Sequence, residues 1–321
     1  MALTESSNIL TTGSLDSYIE RMVDRNFQDK RFFSQFAKAH IKPEYNTSIT
    51  FYQPKDMDGT NAALTEGVTP AATAFTITPK VITLSQLGSR VEITDLTLTD
   101  SPVDVLREAG HELGQDAARK IDKLAQDTMD AGTNVIYSSV EDASAGRTNI
   151  DDGDIIQIEY VAEAVAKLKA NDTPTFADGM YRVILHPHVA YDLKAAVGAN
   201  DWLPVNAQTA NVGKVFAGEL GAMFGARFLE SSNVQFYANA SDGAGSTGNF
   251  DVYPTYVFGD NSFHMGQAGG ISAWYDGLGK GDDFLRQRAN VSYKFRTGFL
   301  IGREEGIYRI ESSSSIGANA S

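Results

Sequence analysis

The 321-residue chain contains no cysteine, which removes a disulfide framework, a thiolate metal site and a Cys nucleophile from consideration. It also lacks any run of about eighteen apolar residues, so no helix is expected to span a membrane. Residues 1–12 (MALTESSNILTT) have neither the basic nor the apolar region of a signal peptide. The expectation is a chain that folds in a reducing cytoplasm and stays soluble. Cations are scarce: Lys+Arg number 27 against 41 Asp+Glu, a net charge of −14. That balance argues against gripping a nucleic-acid backbone as a primary task, which needs clustered cations. Solenoid-type repeats are absent. Apolar residues make up 42% and aromatics 10%, enough for a core and too much for global disorder. The length suits two packed modules or one elaborated domain.

The most informative stretch is Phe75 to Thr133. Phe75 and Ile77 alternate with Thr76 and Thr78, Ile82 and Leu84 with Thr83 and Ser85, and Val91 and Ile93 with Glu92 and Thr94. A period of two puts one apolar and one polar face on an extended ribbon. Upstream, Ile49 and Phe51 alternate with Ser48, Thr50 and Tyr52, which supplies a partner strand across the polar segment Asp56 to Ala74. The pair reads as a long β-arm, and a lone hairpin needs another surface to lie on. A long helix is expected next, with Ser101 as N-cap, Pro102 at the first position and Asp104 at N3. Its apolar stripe would be Leu106, Ala109, Leu113, Ala117, Ile121 and Leu124, with Asp116 and Lys120 paired on the polar side and Gly132 as the stop.

Elsewhere the patterns are shorter. Ser14 to Ala39 carries Leu15, Tyr18, Ile19, Met22 and Val23 at helical spacing, followed by Phe27, Phe32, Phe33 and Phe36; it reads as core or as an arm clasping a neighbour. Asp154 to Ala170 and Pro187 to Val197 read as helices, Tyr181 to Leu185 as a buried strand, and Ala217 to Ser231 as short elements joined by glycine turns. Asn239 to Asn249 should be an exposed tip. Strand patterns return at Tyr253 to Phe258, at Val291, Tyr293 and Phe295, at Phe299 to Ile301 and at Ile307 to Ile310, before a Ser-rich tail from Ser312 that should fray.

Motifs for chemistry are weak. His186 and His188 flank Pro187 at a strand-to-helix junction, which suits a helix start; a metal site there would need a third ligand that no spacing offers. Asp151, Asp152 and Asp154 around Gly153 resemble a calcium loop without its twelfth-position carboxylate. The run from Gly277 to Asp283 has a phosphate-loop flavour, but Lys280 is followed by Gly281 and no strand leads directly in. No nucleophile elbow or dinucleotide fingerprint is present. These absences lead to the expectation of no catalytic residue, no cofactor and no metal.

Several segments in this order resemble the major capsid protein of tailed double-stranded DNA bacteriophages, of the family found in short-tailed phages and related prophages. They are Leu64 to Pro70 (LTEGVTP), Leu84 to Asp100 (LSQLGSRVEITDLTLTD), Lys120 to Asn134 (KIDKLAQDTMDAGTN), Val183 to Leu193 (VILHPHVAYDL), Gly218 to Val234 (GELGAMFGARFLESSNV) and Tyr293 to Ile310 (YKFRTGFLIGREEGIYRI). The resemblance implies an α+β fold with an N-terminal arm (1–47), an extended β-loop (48–95), a peripheral domain (96–150 and 251–321) with a spine helix at 101–133, and an axial domain (151–250). It further implies a non-enzymatic subunit that forms pentamers and hexamers and an icosahedral shell around DNA. Scaffolding and portal proteins, and in some shells a decoration protein, would be its partners; the virion, assembled in the bacterial cytoplasm, would be its location. Some relatives carry a removable N-terminal scaffolding region; none is seen in this sequence, which implies a separate scaffolding protein or prior trimming. Residues expected to touch neighbouring subunits are Phe51, Phe75, Ile77, Ile82, Leu84 and Arg90. Two other readings stay open: an encapsulin-type nanocompartment shell, and a soluble α+β enzyme centred on His186 and His188.

Overall fold

The computed structural model describes residue 23 and, with single-residue gaps, residues 32–42, 47–54, 66–69, 75–139, 146–197, 219–241, 250–280 and 283–316. Two sheets share one long helix. The first sheet is built around β13 (Arg288–Ile301). β4 (Ser85–Thr94) runs antiparallel along one edge of β13, from Thr94 opposite Arg288 to Ser85 opposite Thr297. The other edge takes β12 (Ser272–Asp276) and then β11 (Phe263–Ala268), both antiparallel. β1 (Lys38–Lys42) adds to β11 in parallel. The second sheet has seven strands in the order β5 (Val135–Tyr137), β14 (Ile307–Ser312), β10 (Phe250–Phe258), β6 (Tyr181–Leu185), β8 (Ala226–Glu230) and β7 (Glu219–Met223), with β9 (Tyr237–Ser241) paired to β10.

The long helix starts later than its sequence suggests. A short helix, α1 (Asp95–Asp100), comes first, capped by the Thr94 hydroxyl on the Thr97 amide, and Ser101 ends it. The long helix, α2, spans Val105–Asp130, and Asp104 is its N-cap, accepting from the Arg107 amide at 3.2 Å. Asp104 was expected at N3; Pro102 splits the run because the residue before a proline is pushed out of the α region. At 26 residues, α2 is about 39 Å long. Ala109, Leu113, Ala117 and Ile121 are buried against Ile93, Val291, Tyr293 and Phe295 of the first sheet. Asp116 was expected to pair with Lys120 but instead accepts from the Tyr293 hydroxyl at 2.6 Å. Further along, Ala125 and Met129 lie beneath Ile184, Leu229, Tyr256 and Phe258 of the second sheet. One helix thus stitches both sheets together.

On its other face the second sheet carries α3 (Ile158–Ala170) and α4 (Pro187–Val197). All five β6 residues are buried; Tyr181, Val183 and Leu185 meet α3 and α4, while Ile184 faces α2. Burial between two apolar layers explains why this strand is apolar apart from Arg182, whose guanidinium pairs with Asp178 at 2.9 Å. Phe224 (φ 54°) and Gly225 (φ 82°) make the left-handed turn between β7 and β8, the turn chemistry a two-residue hairpin needs.

Several expectations change at this level. Ser85–Thr94, read as part of a free β-arm, is instead a ten-residue ladder with β13; the hairpin that remains is β2 (Ser48–Pro54) with β3 (Ile77–Thr83). The second sheet joins residues 135–137, 250–258 and 307–312 to strands of the expected axial segment. Most of the proposed N-terminal helix lies outside the described residues. Its last part is not helical beyond Phe36: Phe33–Phe36 is a 3-10 turn and Lys38–Lys42 a strand. Val23, Phe33 and Phe36 are core residues of this chain. Asn239 and Ser241 sit in β9, and residues 242–249 lie outside the described residues. The tail does not fray at its start: Ser312, Ser313 and Ser314 are buried, and Ser315 donates from its amide to Asp192 at 3.0 Å.

Candidate inter-subunit surfaces

The β2–β3 hairpin is docked at its root and free beyond it. Ile49 and Ile82 are buried, because two glycines of the first sheet let the hairpin approach closely. A Cβ at Gly298 would stand 2.1 Å from the Thr83 carbonyl oxygen, and one at Gly266 would meet Ile82 and Leu84 at 3.0 Å. The Leu84 amide donates to the Thr47 carbonyl at 2.9 Å, and the Lys80 ammonium donates to the Gly302 carbonyl. Further out the strands face solvent: Tyr52 is 71% exposed, Phe75 60%, and Ile77 and Val81 are each half exposed. These large apolar groups lie in a row on a two-stranded ribbon and are left uncovered by the described residues.

The six residues expected to meet neighbours therefore divide. Phe75 and Ile77 are on the open face. Ile82 is fully buried inside the subunit and Leu84 is half-buried, both against Gly266. Phe51 is also used internally: its ring lies 4.3 Å from that of His264 and stacks on His40 at 5.0 Å. Arg90 is exposed on β4 and pairs with Glu92 at 3.8 Å. Alternation marks which residues share a face; which face the subunit itself covers depends on Gly266 and Gly298, about two hundred residues away.

Beneath the hairpin lies a cleft of about 780 Å³ whose lining includes Lys38, His40, Phe51, Lys80, His264 and Arg303. His40 Nε2 and His264 Nδ1 are 2.9 Å apart. Burial, then the neighbouring His40, Lys38 and Lys80, pushes His264 down to about 4, and burial with Lys38 and Lys42 lowers His40. Both rings are thereby neutral near pH 7, so one donates to the other.

His186 and His188 serve the chain locally. His186 Nδ1 accepts the His188 amide at 3.2 Å, which caps α4, and His188 Nδ1 lies 3.1 Å from the Tyr253 hydroxyl. Burial and the nearby His188 push His186 down to about 4. The run that resembled a phosphate loop is occupied by its own acid. Asp283 accepts from the amides of Gly279, Gln287 and Arg288 at 3.3, 3.1 and 2.8 Å, taking donors that a phosphate would need. Sequence reasoning missed the buried polar anchors of α2. Asp122 accepts from the Phe32 and Phe33 amides at 2.7 and 3.1 Å, and Gln126 exchanges two 3.0 Å bonds with the Gln235 backbone. Position beside the apolar stripe was the available signal. Glu108, His111 and Glu112, one turn apart at the start of α2, also bring ligand atoms within 4.8 Å of one another. They lie on its outer face, where such groupings are common without an ion.

A spine helix under two sheets, with a projecting hairpin, is the architecture of a phage capsid shell subunit. The capsid of Ralstonia phage GP4 shares it at a TM-score of 0.68 and 14% identity, over 89% of this chain and 92% of that one. The cyanophage Pam1 capsid asymmetric unit matches at 0.64 and 14%, over 99% and 100%; the capsid of cyanophage P-SCSP1u matches at 0.62 and 15%, over 89% and 89%. The sequence itself gives the family: the phage capsid protein model matches residues 77–310, and the chain belongs to that family. No curated protein sequence matches it. It is a structural shell subunit, a component of the virion.

Proposed function

We propose that this subunit assembles with copies of itself into pentamers and hexamers that close into an icosahedral shell around double-stranded DNA. The exposed apolar row of the hairpin, Tyr52, Phe75, Ile77 and Val81, supports this reading most directly. A root fixed by Gly266 and Gly298 aims the arm, and another copy covers it. Such heterologous contacts generate closed rings, and rings joined by further contacts generate a shell. The role needs no catalytic group, cofactor or metal. DNA is enclosed without sequence-specific binding, in keeping with the net charge of −14. Assembly takes place in the host cytoplasm with a scaffolding protein, a portal protein occupies one vertex, and a decoration protein is an optional addition.

Negative-stain microscopy of the purified chain tests the reading. Closed shells are expected; a persistent monomer across scaffold and salt conditions would defeat it. Native particles should hold nuclease-protected DNA, and particles with protein cargo instead would indicate a nanocompartment. With shells in hand, Tyr52→Ser/Ile77→Ser should leave the subunit folded and impair assembly.

A further inference from the structure

The loop from β12 to β13 carries a feature that the lone subunit does not need. Phe284 is 91% exposed and Leu285 is 77% exposed. Burying either side chain is worth about 1.5–3 kcal/mol, and neither is buried by its own chain. Nor is the segment loosely held. Asp283 gathers the Gly279, Gln287 and Arg288 amides, and these bonds hold its carboxyl below the usual carboxylate range. Arg286 adopts a left-handed φ of 56° and Gly279 one of 82°. The Arg286 stem lies so close over Gly279 that a Cβ there would be 2.7 Å from Arg286 Cγ. A non-glycine residue persists in that conformation only when its surroundings impose it. The Asp95 amide then donates to the Gln287 carbonyl at 3.0 Å, which ties the loop to α1, where Leu96 is 69% exposed.

We propose that Phe284 and Leu285 form a contact knob that buries against a second copy of this chain. The proposal rests on the shell reading and adds a second contact point, on a different element from the hairpin. Charge favours a copy as the occupant. Two chains of net charge −14 repel one another, so a contact between them belongs where charge is locally offset. At this corner Lys280 pairs with Asp276 and Arg288 with Glu92, each at 3.4 Å. The same corner of a neighbouring copy presents Leu96 and its own Phe284, an apolar surface of matching kind. A loop already braced by Asp283 loses little conformational freedom on binding, so more of the burial appears as affinity.

The test uses the full chain under conditions where it forms particles. Phe284→Ser/Leu285→Ser should leave the melting temperature of the unassembled subunit unchanged and raise the concentration at which particles appear at least tenfold, by sedimentation and microscopy. Phe284→Leu should restore most of the loss. A photoreactive side chain, Phe284→p-benzoylphenylalanine, should give a subunit pair on irradiation of particles. Unchanged assembly of the double variant, or irradiated particles without a cross-linked pair, overturns the knob while leaving the shell reading intact. If the double variant fails to fold, the cross-link alone decides. An unsubstituted chain that never assembles defeats both.

Discussion

Glu311 offers the sharpest test of how the second sheet is held. Its side chain, on β14, has no exposed surface. Its carboxylate accepts three charged hydrogen bonds: from Arg147 Nε at 2.7 Å, from the Arg147 terminal nitrogen at 2.6 Å, and from Arg309 Nε at 2.7 Å. Arg147 also lies over the Tyr237 ring at 3.7 Å, so the three charges join β14, β9 and the turn at Arg147–Asn149. Glu311→Ala leaves Arg309 buried, with the more distant Asp130 carboxylate at 3.8 Å. Removing one partner of a buried ion pair costs about 3–5 kcal/mol. Arg147 is one-third exposed and can rehydrate, which places the expected loss at the lower end, about 3 kcal/mol. A typical stability of about 5–15 kcal/mol makes that a large fraction. In urea unfolding of unassembled subunits, a slope of about 3 kcal/mol/M converts it to a midpoint lower by about 1 M. Glu311→Gln should lose most of the same amount, since its amide points a donor at donors. Arg147→Met/Arg309→Met/Glu311→Leu should recover much of it, because buried ion triads can be replaced by apolar groups of similar volume. A Glu311→Ala midpoint within about 0.2 M of the parent would refute the reasoning.

Gly298→Val should unseat the hairpin root from β13, because a Cβ there meets the Thr83 carbonyl at 2.1 Å; amide exchange of Ile77 to Thr83 should quicken in the monomer while Ser85 to Thr94, laddered to β13, stays protected. Leu113→Asp or Ile121→Asp puts an unpaired carboxylate on the buried stripe of α2 and should abolish soluble expression, at a cost of several kcal/mol; soluble assembling variants would show that another face is inward. Stability should also fall with acid. His186 and His264 titrate near 4 in the folded chain against about 6.5 unfolded, so the unfolded state binds more protons between those values and their contribution, complete above about pH 6.5, is lost as pH falls toward 4. His264→Asn should flatten the denaturation midpoint across that window, and an unchanged slope would count against it. Finally, His186→Ala/His188→Ala should leave particle formation intact apart from any folding loss, with the same metal content as the parent by elemental analysis.

Local periodicity was enough to read β6, α4 and the stripe of α2, because each is specified by residues within one element. Tyr181 to Leu185 is apolar apart from the ion-paired Arg182 because both of its faces are covered, and Pro187 sets a helix start wherever the strand lies. The order of several such segments along the chain also carried the resemblance to the family. The hairpin was legible only in outline. Alternation separated the face of Ile77 and Val81 from that of Ile82 but could not say that Gly266 and Gly298 clear room for the Ile82 face, nor that Ser85 to Thr94 finds its ladder in β13. Likewise, Asp122, Gln126 and Glu311 read as ordinary surface polar residues until the backbone amides and guanidinium groups from distant segments are in place. By itself, then, the sequence determined the elements, the α+β class and the shell-forming family, because these depend on short-range pattern and order. Tertiary structure alone decided which apolar residues the subunit buries and which it leaves exposed, because burial depends on surfaces brought together from across the whole chain.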